Sequence, residues 1–418
     1  MANGRAENAG RARRAWEHCG ALTMNAGVKV PRVALIGISG YGRIHLQLAR
    51  ECRDRGEIAI AAATVINPGE EAANVAELEA HGTKIYADYA EMLRAEAGRI
   101  DLCLIPTGIH WHARMTIEAL RAGANVLVEK PLAGSRAEID AVQREERAAG
   151  RFVAVGFQDL YEPGTNWLKA ELLKGTIGEI ESVRFLGIWP RNRSYFTRND
   201  WAGRTHVDGV AVLDSPLNNA FGHFVMLSLY FASPQAQGAA AAKLEAVELF
   251  RAHDIPSFDT AVVTSRTREG VRLWFGVSHA SRETVEPEIV IHGSKGTACW
   301  RYENEACLSD ARGGLIARWA MPDMTQTRRA MMAAVLARLR DPAVPICGAE
   351  MAARHTEIVE AVHGAAPIRS FSAEQVSWVP EKNGGSEGPD VRGLADALRK
   401  AFGEQRSLAE SGLAVAGR

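Results

Sequence analysis

No two cysteines in this chain form a Cys-x-x-Cys pair. Six of them, Cys19, Cys52, Cys103, Cys299, Cys307 and Cys347, are scattered over 418 residues. The spacing offers no zinc or thioredoxin pattern, so no metal is expected, and it reads as reduced, mostly buried thiols of a cytoplasmic protein. Neither sign of charge is in excess: Lys and Arg number 49 against 50 for Asp and Glu. That balance gives no electrostatic case for nucleic acid or an anionic membrane. No apolar run reaches the length of a bilayer span, roughly 20 residues. Arg13-Arg14 suggests twin-arginine export, but no hydrophobic segment follows it. Residues 1–29 have little to bury and read as a disordered leader, with Met24 an alternative start.

Apolar residues make up 47% of the chain, enough for the cores of two domains. Residues 30–155 alternate short apolar runs with amphipathic segments. Val33–Ile36, Ile58–Val65, Lys84–Tyr86, Ile100–Pro106, Val126–Val128 and Phe152–Phe157 read as strands separated by helices. Such spacing predicts a right-handed, parallel, doubly wound α/β sheet. From residue 156 to 378 the pattern changes to strands joined by short turns at Gly270, Gly293 and Gly296, with a long apolar helix over Phe221–Phe231. A large, open, mainly antiparallel sheet with helices on one face is expected there. Residues 379–418 read as a linker followed by an amphipathic helix, Val391–Phe402, with Leu394 and Leu398 on one face.

Four stretches carry chemistry. Gly37-Ile38-Ser39-Gly40-Tyr41-Gly42 joins the first strand to the first helix, the context a dinucleotide fingerprint requires. Gly37 permits the tight turn, Gly42 allows helix and strand to approach, and the free amides at the helix start, Gly40 to Ile44, can bind a pyrophosphate, with Gly37, Ser39, Gly40, Tyr41 and Gly42 as the cofactor-binding candidates. The middle glycine is replaced by Ser39, whose hydroxyl either crowds the backbone or becomes a phosphate donor. An ordinary glycine-rich turn is the competing reading. The ribose acid normally found about 20 residues on is absent from Ala63–Pro68. Thr64 and Asn67 are the polar candidates, and NAD versus NADP stays open.

Thr107 to His112 and Glu129-Lys130-Pro131 each follow a strand, at the carboxyl edge where open α/β sheets place ligands. Placement makes Thr107 and His112 candidates for cofactor or substrate contact, against a plain surface loop. Lys130 is as well explained by solvation on placement alone. Asp214 to His223 leads polar residues into the apolar helix. Asp214 or Asn219 could cap it, and His223, one turn beyond Asn219, suits proton transfer to an alcohol or ketone oxygen. Arg191–Arg204 is a polar, aromatic run with four arginines, either a salt-bridged surface loop or the lining of a site for a hydroxylated or anionic substrate.

These motifs, in this order, resemble the Gfo/Idh/MocA family of glucose-fructose oxidoreductase, inositol 2-dehydrogenase and their relatives. Val33–Gly37, Gly42-Arg43-Ile44-His45, Glu129-Lys130-Pro131, Asp259-Thr260-Ala261 and Ile291–Thr297 carry the resemblance over roughly residues 30–370. It implies a Rossmann domain followed by an α/β domain whose open sheet forms a homodimer or homotetramer interface. It implies NAD or NADP as cofactor and hydride transfer at a hydroxyl or carbonyl of a sugar, cyclitol or sugar acid. Lys130 would contact the reacting oxygen and the nicotinamide side beside Glu129, with a Lys130-Pro131 bond that is cis in some members. His223 would transfer the proton. At the position of the family's orienting aspartate stands Asn219, with Asp214 five residues earlier. A glycosidase using retained NAD, and a non-enzymatic nucleotide- or sugar-sensing regulator, are the alternative readings.

Overall fold

The computed structural model describes residues 29–380 and 386–413. The expected leader lies outside them except for its last residue, as does the segment 381–385 of the expected linker. The chain divides into two compact units. Of the described residues, the first holds 29–161 together with Thr325–Ala353; the second holds Glu162–Met324 and those from Arg354 onward.

In the first unit, six short apolar runs become strands because each is buried on both faces. β1 (Arg32–Ile36), β2 (Ala59–Thr64), β3 (Lys84–Tyr86), β4 (Leu102–Ile105), β5 (Asn125–Val128) and β6 (Val153–Val155) form one parallel sheet in the order β3-β2-β1-β4-β5-β6. The order reverses between β1 and β4, so the crevice for a ligand opens at their carboxyl ends. Crossover helices α1 (Gly42–Asp54), α2 (Ala72–Ala80), α3 (Tyr89–Ala95), α4 (Ile109–Arg121) and α5 (Arg136–Ala149) cover the sheet. Asp88 and Ser135 cap α3 and α5 by accepting from the amides of Glu91 and Glu138. The later segment 325–353 returns here: Val155 N–H donates to the Cys347 carbonyl, and Cys347 N–H to the Tyr161 hydroxyl.

The second unit is built on nine strands. They are β7 (Ile180–Ile188), β10 (Ala242–Arg251), β11 (Thr260–Thr267), β12 (Arg272–Ser278), β13 (Val285–Gly293), β14 (Gly296–Arg301), β15 (Glu305–Asp310), β16 (Leu315–Ala320) and β17 (Ile368–Ser370). The order is β16-β15-β14-β13-β7-β12-β11-β10-β17, antiparallel except at β7–β12 and β10–β17. The small pair β8 (His206–Val207) and β9 (Val210–Ala211) stands apart from it. Strand alternation divides the faces of β7. Phe185 meets Phe221 and Phe224 around α8 (Gly222–Ala232), with α6 (Pro163–Lys174) beside it. Leu186 and Ile188 instead pack with Leu394 and Leu398 of α11 (Leu394–Glu404).

Helices on one face only is therefore corrected: the C-terminal helix covers the opposite face over β7 and β12. Its apolar stripe was legible, but not its destination. The residues flanking 381–385, expected as linker, pair as β18 (Val376–Pro380) and β19 (Glu387–Val391). The expectation of reduced thiols also fails at one pair. β14 and β15 set Cys299 directly opposite Cys307, with Cα atoms 5.1 Å apart, and the two form a disulfide. An eight-residue separation across a hairpin has no Cys-x-x-Cys signature. Cys52, Cys103 and Cys347 are buried free thiols. Among the described residues, no helix is long and apolar enough to cross a membrane.

Lys169 of α6 is 1% exposed, and its Nζ donates at 2.5 Å to the carbonyls of both Tyr230 and Ser233, closing the C-terminal end of α8. Burial lowers its pKa from 10.5 to about 7. The unfolded chain thus holds more protons between these values, and stability should rise with pH across that window. Below about 7 the cost of the buried charge is fully present; above 10.5 it is gone. Urea melts of wild type and Lys169→Met between pH 7 and 10 test this: the slope should be shallower in the variant, and equal slopes would exclude Lys169 as its source.

Candidate active site

The turn after β1 is shaped by two glycines. Gly37 lies at φ +90° and its N–H donates to the Thr64 carbonyl at 3.1 Å. A Cβ on Gly42 would stand 2.8 Å from the Gly37 oxygen, closer than side chains tolerate. Gly40, at φ +55°, has open space where a Cβ would point. α1 begins without a side-chain cap and without an acidic residue in its first turn. Its amino end presents positive dipole to an anion. The amides of Gly42, Arg43 and Ile44 already donate to the carbonyls of Ser39, Gly40 and Tyr41, so those left for a ligand are the amides of residues 39–41. This cradle fits a dinucleotide pyrophosphate: Ser39, Gly40 and Tyr41 are the residues that would hold it, and Gly42, expected among them, instead closes the turn by donating to the Ser39 carbonyl at 2.8 Å.

Ser39 resolves its own ambiguity. Its hydroxyl donates to Asn67 Oδ1 at 2.9 Å and ties the turn to the end of β2. Asn67 in turn donates from Nδ2 to Glu70 Oε2 at 2.7 Å. A carboxylate, absent from Ala63–Pro68, is thus held beside Asn67 by Glu70. Glu71, buried, accepts from Arg43 at 2.8 Å and from Asn74 at 2.6 Å, and these partners hold its carboxyl below the usual range. Thr64 stands apart from this group: it is buried, with its hydroxyl 3.4 Å from Met92 Sδ.

At the end of β4, Thr107 faces the turn, its Cγ2 3.9 Å from where a Gly37 Cβ would sit. His112, 1% exposed, places Nδ1 2.6 Å from the Pro131 carbonyl oxygen and Nε2 3.0 Å from that of Thr107. Burial pushes its pKa down, against the pull of those two carbonyls. It joins the loop after β4 to the loop after β5.

Glu129 opens that second loop and is 6% exposed. Its Oε1 lies 2.8 Å from His45 Nε2 of α1, and its Oε2 accepts from the Lys130 amide at 3.2 Å. Gly156 leaves the room: a Cβ there would stand 2.9 Å from Oε1. The Lys130–Pro131 peptide is cis. Lys130, half-buried, is thus seated by Glu129 before it and by His112 through Pro131 after it. Tyr41 completes the surroundings, its ring 6.0 Å from that of His45 and with the Arg328 guanidinium 5.7 Å away. His45 appeared in the sequence only as part of an opening motif. Its i+3 position from Gly42 on a short helix was the available signal.

In the second unit, the turn from Asp214 to Phe221 delivers His223 to the first turn of α8. Neither Asp214 nor Asn219 caps the helix. The cap position is Phe221, without a side-chain hydrogen bond, and Gly222 N–H donates to the Asn219 carbonyl. Asp214, buried, instead accepts from Gly203 N–H at 2.6 Å. Asn219 Nδ2 donates to the Tyr195 hydroxyl at 3.3 Å. Burial raises the Tyr195 phenol, and the Asp214 charge adds to it. His223 is half-buried beside Phe224. Two distant histidines brace the turn: His355 Nε2 donates to the Leu217 carbonyl at 3.1 Å, and His363 Nε2 lies 3.3 Å from Ser215 Oγ. Burial holds His363 down, to about 4. Nothing in the local sequence announces these two.

Residues 31–157 match the Gfo/Idh/MocA family, an oxidoreductase family with an NAD-binding Rossmann fold. Over 197 residues the chain is 29% identical to the inositol 2-dehydrogenase/D-chiro-inositol 3-dehydrogenase of Shouchella clausii, covering 47% of this chain and 56% of that one. The chain spans about half the length of the curated relatives it matches. The WlbA dehydrogenase of Bordetella pertussis, solved with NADH and UDP-GlcNAcA, has a similar fold at TM-score 0.65 and 20% identity, over 81% of this chain and 97% of that one. KijD10, a 3-ketoreductase from Actinomadura kijaniata solved with NADP, gives 0.64 and 19%, over 82% and 100%.

Gly42→Ala tests the turn itself. The added methyl must displace the Gly37 carbonyl, a strain of about 1–3 kcal/mol. Chemical denaturation should show that loss, and a variant as stable as wild type would mean the turn is looser than described.

Proposed function

From the membership of residues 31–157 in the Gfo/Idh/MocA oxidoreductase family, we propose that this protein is an NAD(P)-dependent dehydrogenase or reductase of a polyhydroxylated small molecule: a sugar, cyclitol or sugar acid. The observation that carries the reading is the buried Glu129, which joins α1 of the glycine turn to the amide of Lys130. One carboxylate thereby couples the nucleotide cradle to the lysine. A sensing protein would need the cradle but not a half-buried lysine fixed from both sides. The bound nicotinamide supplies the hydride acceptor or donor.

The chain supplies position and charge. Lys130 would offer its ammonium to the substrate oxygen as negative charge develops there, where a fixed cation lowers the barrier most. His223 would take or give the hydroxyl proton. Asn219 and Asp214 act through their neighbours: Asn219 on Tyr195, Asp214 on the Gly203 amide. An amide cannot hold a proton, so Asn219 orients and does not relay. At the ribose end, Asn67 with Glu70 behind it would meet the hydroxyls. Glu70 there opposes a 2′-phosphate and favours NAD over NADP.

Calorimetry should show NAD(H) binding, weaker NADP(H) binding, and a narrowed gap in Glu70→Ala. Failure of every nicotinamide nucleotide to bind wild type would sink the oxidoreductase reading. With a substrate found by nicotinamide absorbance, Lys130→Met should lower kcat by about 10²–10³ at little cost in nucleotide affinity. Turnover near wild type would remove Lys130 from the chemistry.

A further inference from the structure

The run Arg191–Arg204 contains four arginines and one carboxylate, Asp200. Among the described residues, none of Arg191, Arg193, Arg198 and Arg204 forms an ion pair, with Asp200 or any other acid. The salt-bridged surface loop considered above is therefore not what the run is. Three of the arginines lie instead against aromatic rings. The Arg198 guanidinium carbon is 3.6 Å and that of Arg191 4.8 Å from the centre of the Tyr195 ring, and Arg193 is 3.8 Å from that of Trp378.

Stacking uses the face of a guanidinium and leaves donors in its plane available. Arg191 gives one of these, Nη1, to the Pro190 carbonyl, and Arg198 gives one to the Tyr195 carbonyl. The backbone beneath is fixed. Asn192 caps α7 (Arg193–Thr197) by accepting from the Tyr195 amide. The Arg191 carbonyl oxygen lies 3.1 Å from Nε2 of buried His253, whose Nδ1 is 2.8 Å from Asp259 Oδ2. The Tyr195 hydroxyl, between the arginines and the catalytic turn, accepts from Asn219. Two cations are thus held in place around a ring that touches the turn carrying His223, and neither forms an ion pair among the described residues, although the Asp214 charge is felt at the same ring.

We propose that Arg191 and Arg198 bind an anionic group of the substrate, a carboxylate or a phosphate, so that the preferred substrates are acids or phosphate esters of polyhydroxylated compounds. This deepens the oxidoreductase reading and rests on it for the identity of the reacting molecule. Stacked guanidiniums lose little freedom on engaging an oxyanion, and two of them offset the weakness of a single exposed ion pair.

Tryptophan fluorescence, with Trp189 and Trp201 5.8 and 5.1 Å from Arg191 and Arg198, can report binding without nucleotide. Wild type would be titrated with D-glucuronate, D-glucose 6-phosphate and D-glucose. At least one of the two anions should saturate at a concentration tenfold or more below D-glucose, and the tighter of them identifies the group as carboxylate or phosphate. Exposed Arg198→Met should weaken that binding at least tenfold, and Arg198→Lys by less. Equal binding of all three compounds, binding of none, or an unchanged affinity in Arg198→Met overturns the proposal. The assay needs no nicotinamide, so anion binding by a protein that fails to bind NAD(P) would refute the oxidoreductase reading alone.

Discussion

The buried carboxylate of Glu129 is the constraint on which the first unit's site depends. A charge that is 6% exposed must find partners, because a buried, unpaired carboxylate costs several kcal/mol or changes its protonation. Its partners include His45 on α1 and the amide of Lys130. The helix that follows the glycine turn and the strand end that carries Lys130 are therefore tied to each other. Gly156 has no side chain because Glu129 occupies that space. His112 adds a second tie by reaching the carbonyls of Thr107 and Pro131. These ties fix the turn after β1, the loop after β4 and the loop after β5 to one another.

The second unit solves a different problem. It must hold a polar turn against an apolar helix, and it does so with interactions drawn from far along the chain. His355 and His363 come from the helix at 349–365, Gly203 from the loop before β8, and Tyr195 from α7. Asp214, the one acid of the turn, is engaged by a backbone amide, which fits a role as an anchor of the loop. Arg191 and Arg198 lie against the ring of Tyr195, whose hydroxyl meets the same turn.

Much of this was legible in the sequence, for identifiable reasons. Parallel strands buried on both faces leave continuous apolar runs, so Val33–Ile36 and Val126–Val128 declared themselves. The need for glycine at residues 37 and 42 follows from backbone geometry, and the resemblance supplied the weight for Lys130. What stayed hidden was long-range pairing. The bond from Asn67 to Glu70 joins a residue inside the searched window to one beyond it. The ties from His45 and His112 span 84 and 19 residues. The disulfide arises from strand register, and the covering of β7 by α11 from tertiary packing. None of these leaves a periodicity to read.

The central claim is that Ser39 to Tyr41 hold a nicotinamide dinucleotide while Lys130 faces its reacting end. A crystal structure of the protein grown with NAD tests it most directly. The account predicts the pyrophosphate within hydrogen-bond distance of the amides of residues 39–41, the adenosine ribose at Asn67, and the nicotinamide ring on the Lys130 side of the β5 carboxyl end. A dinucleotide bound with its phosphates away from that turn, or with Lys130 remote from the nicotinamide, would contradict it.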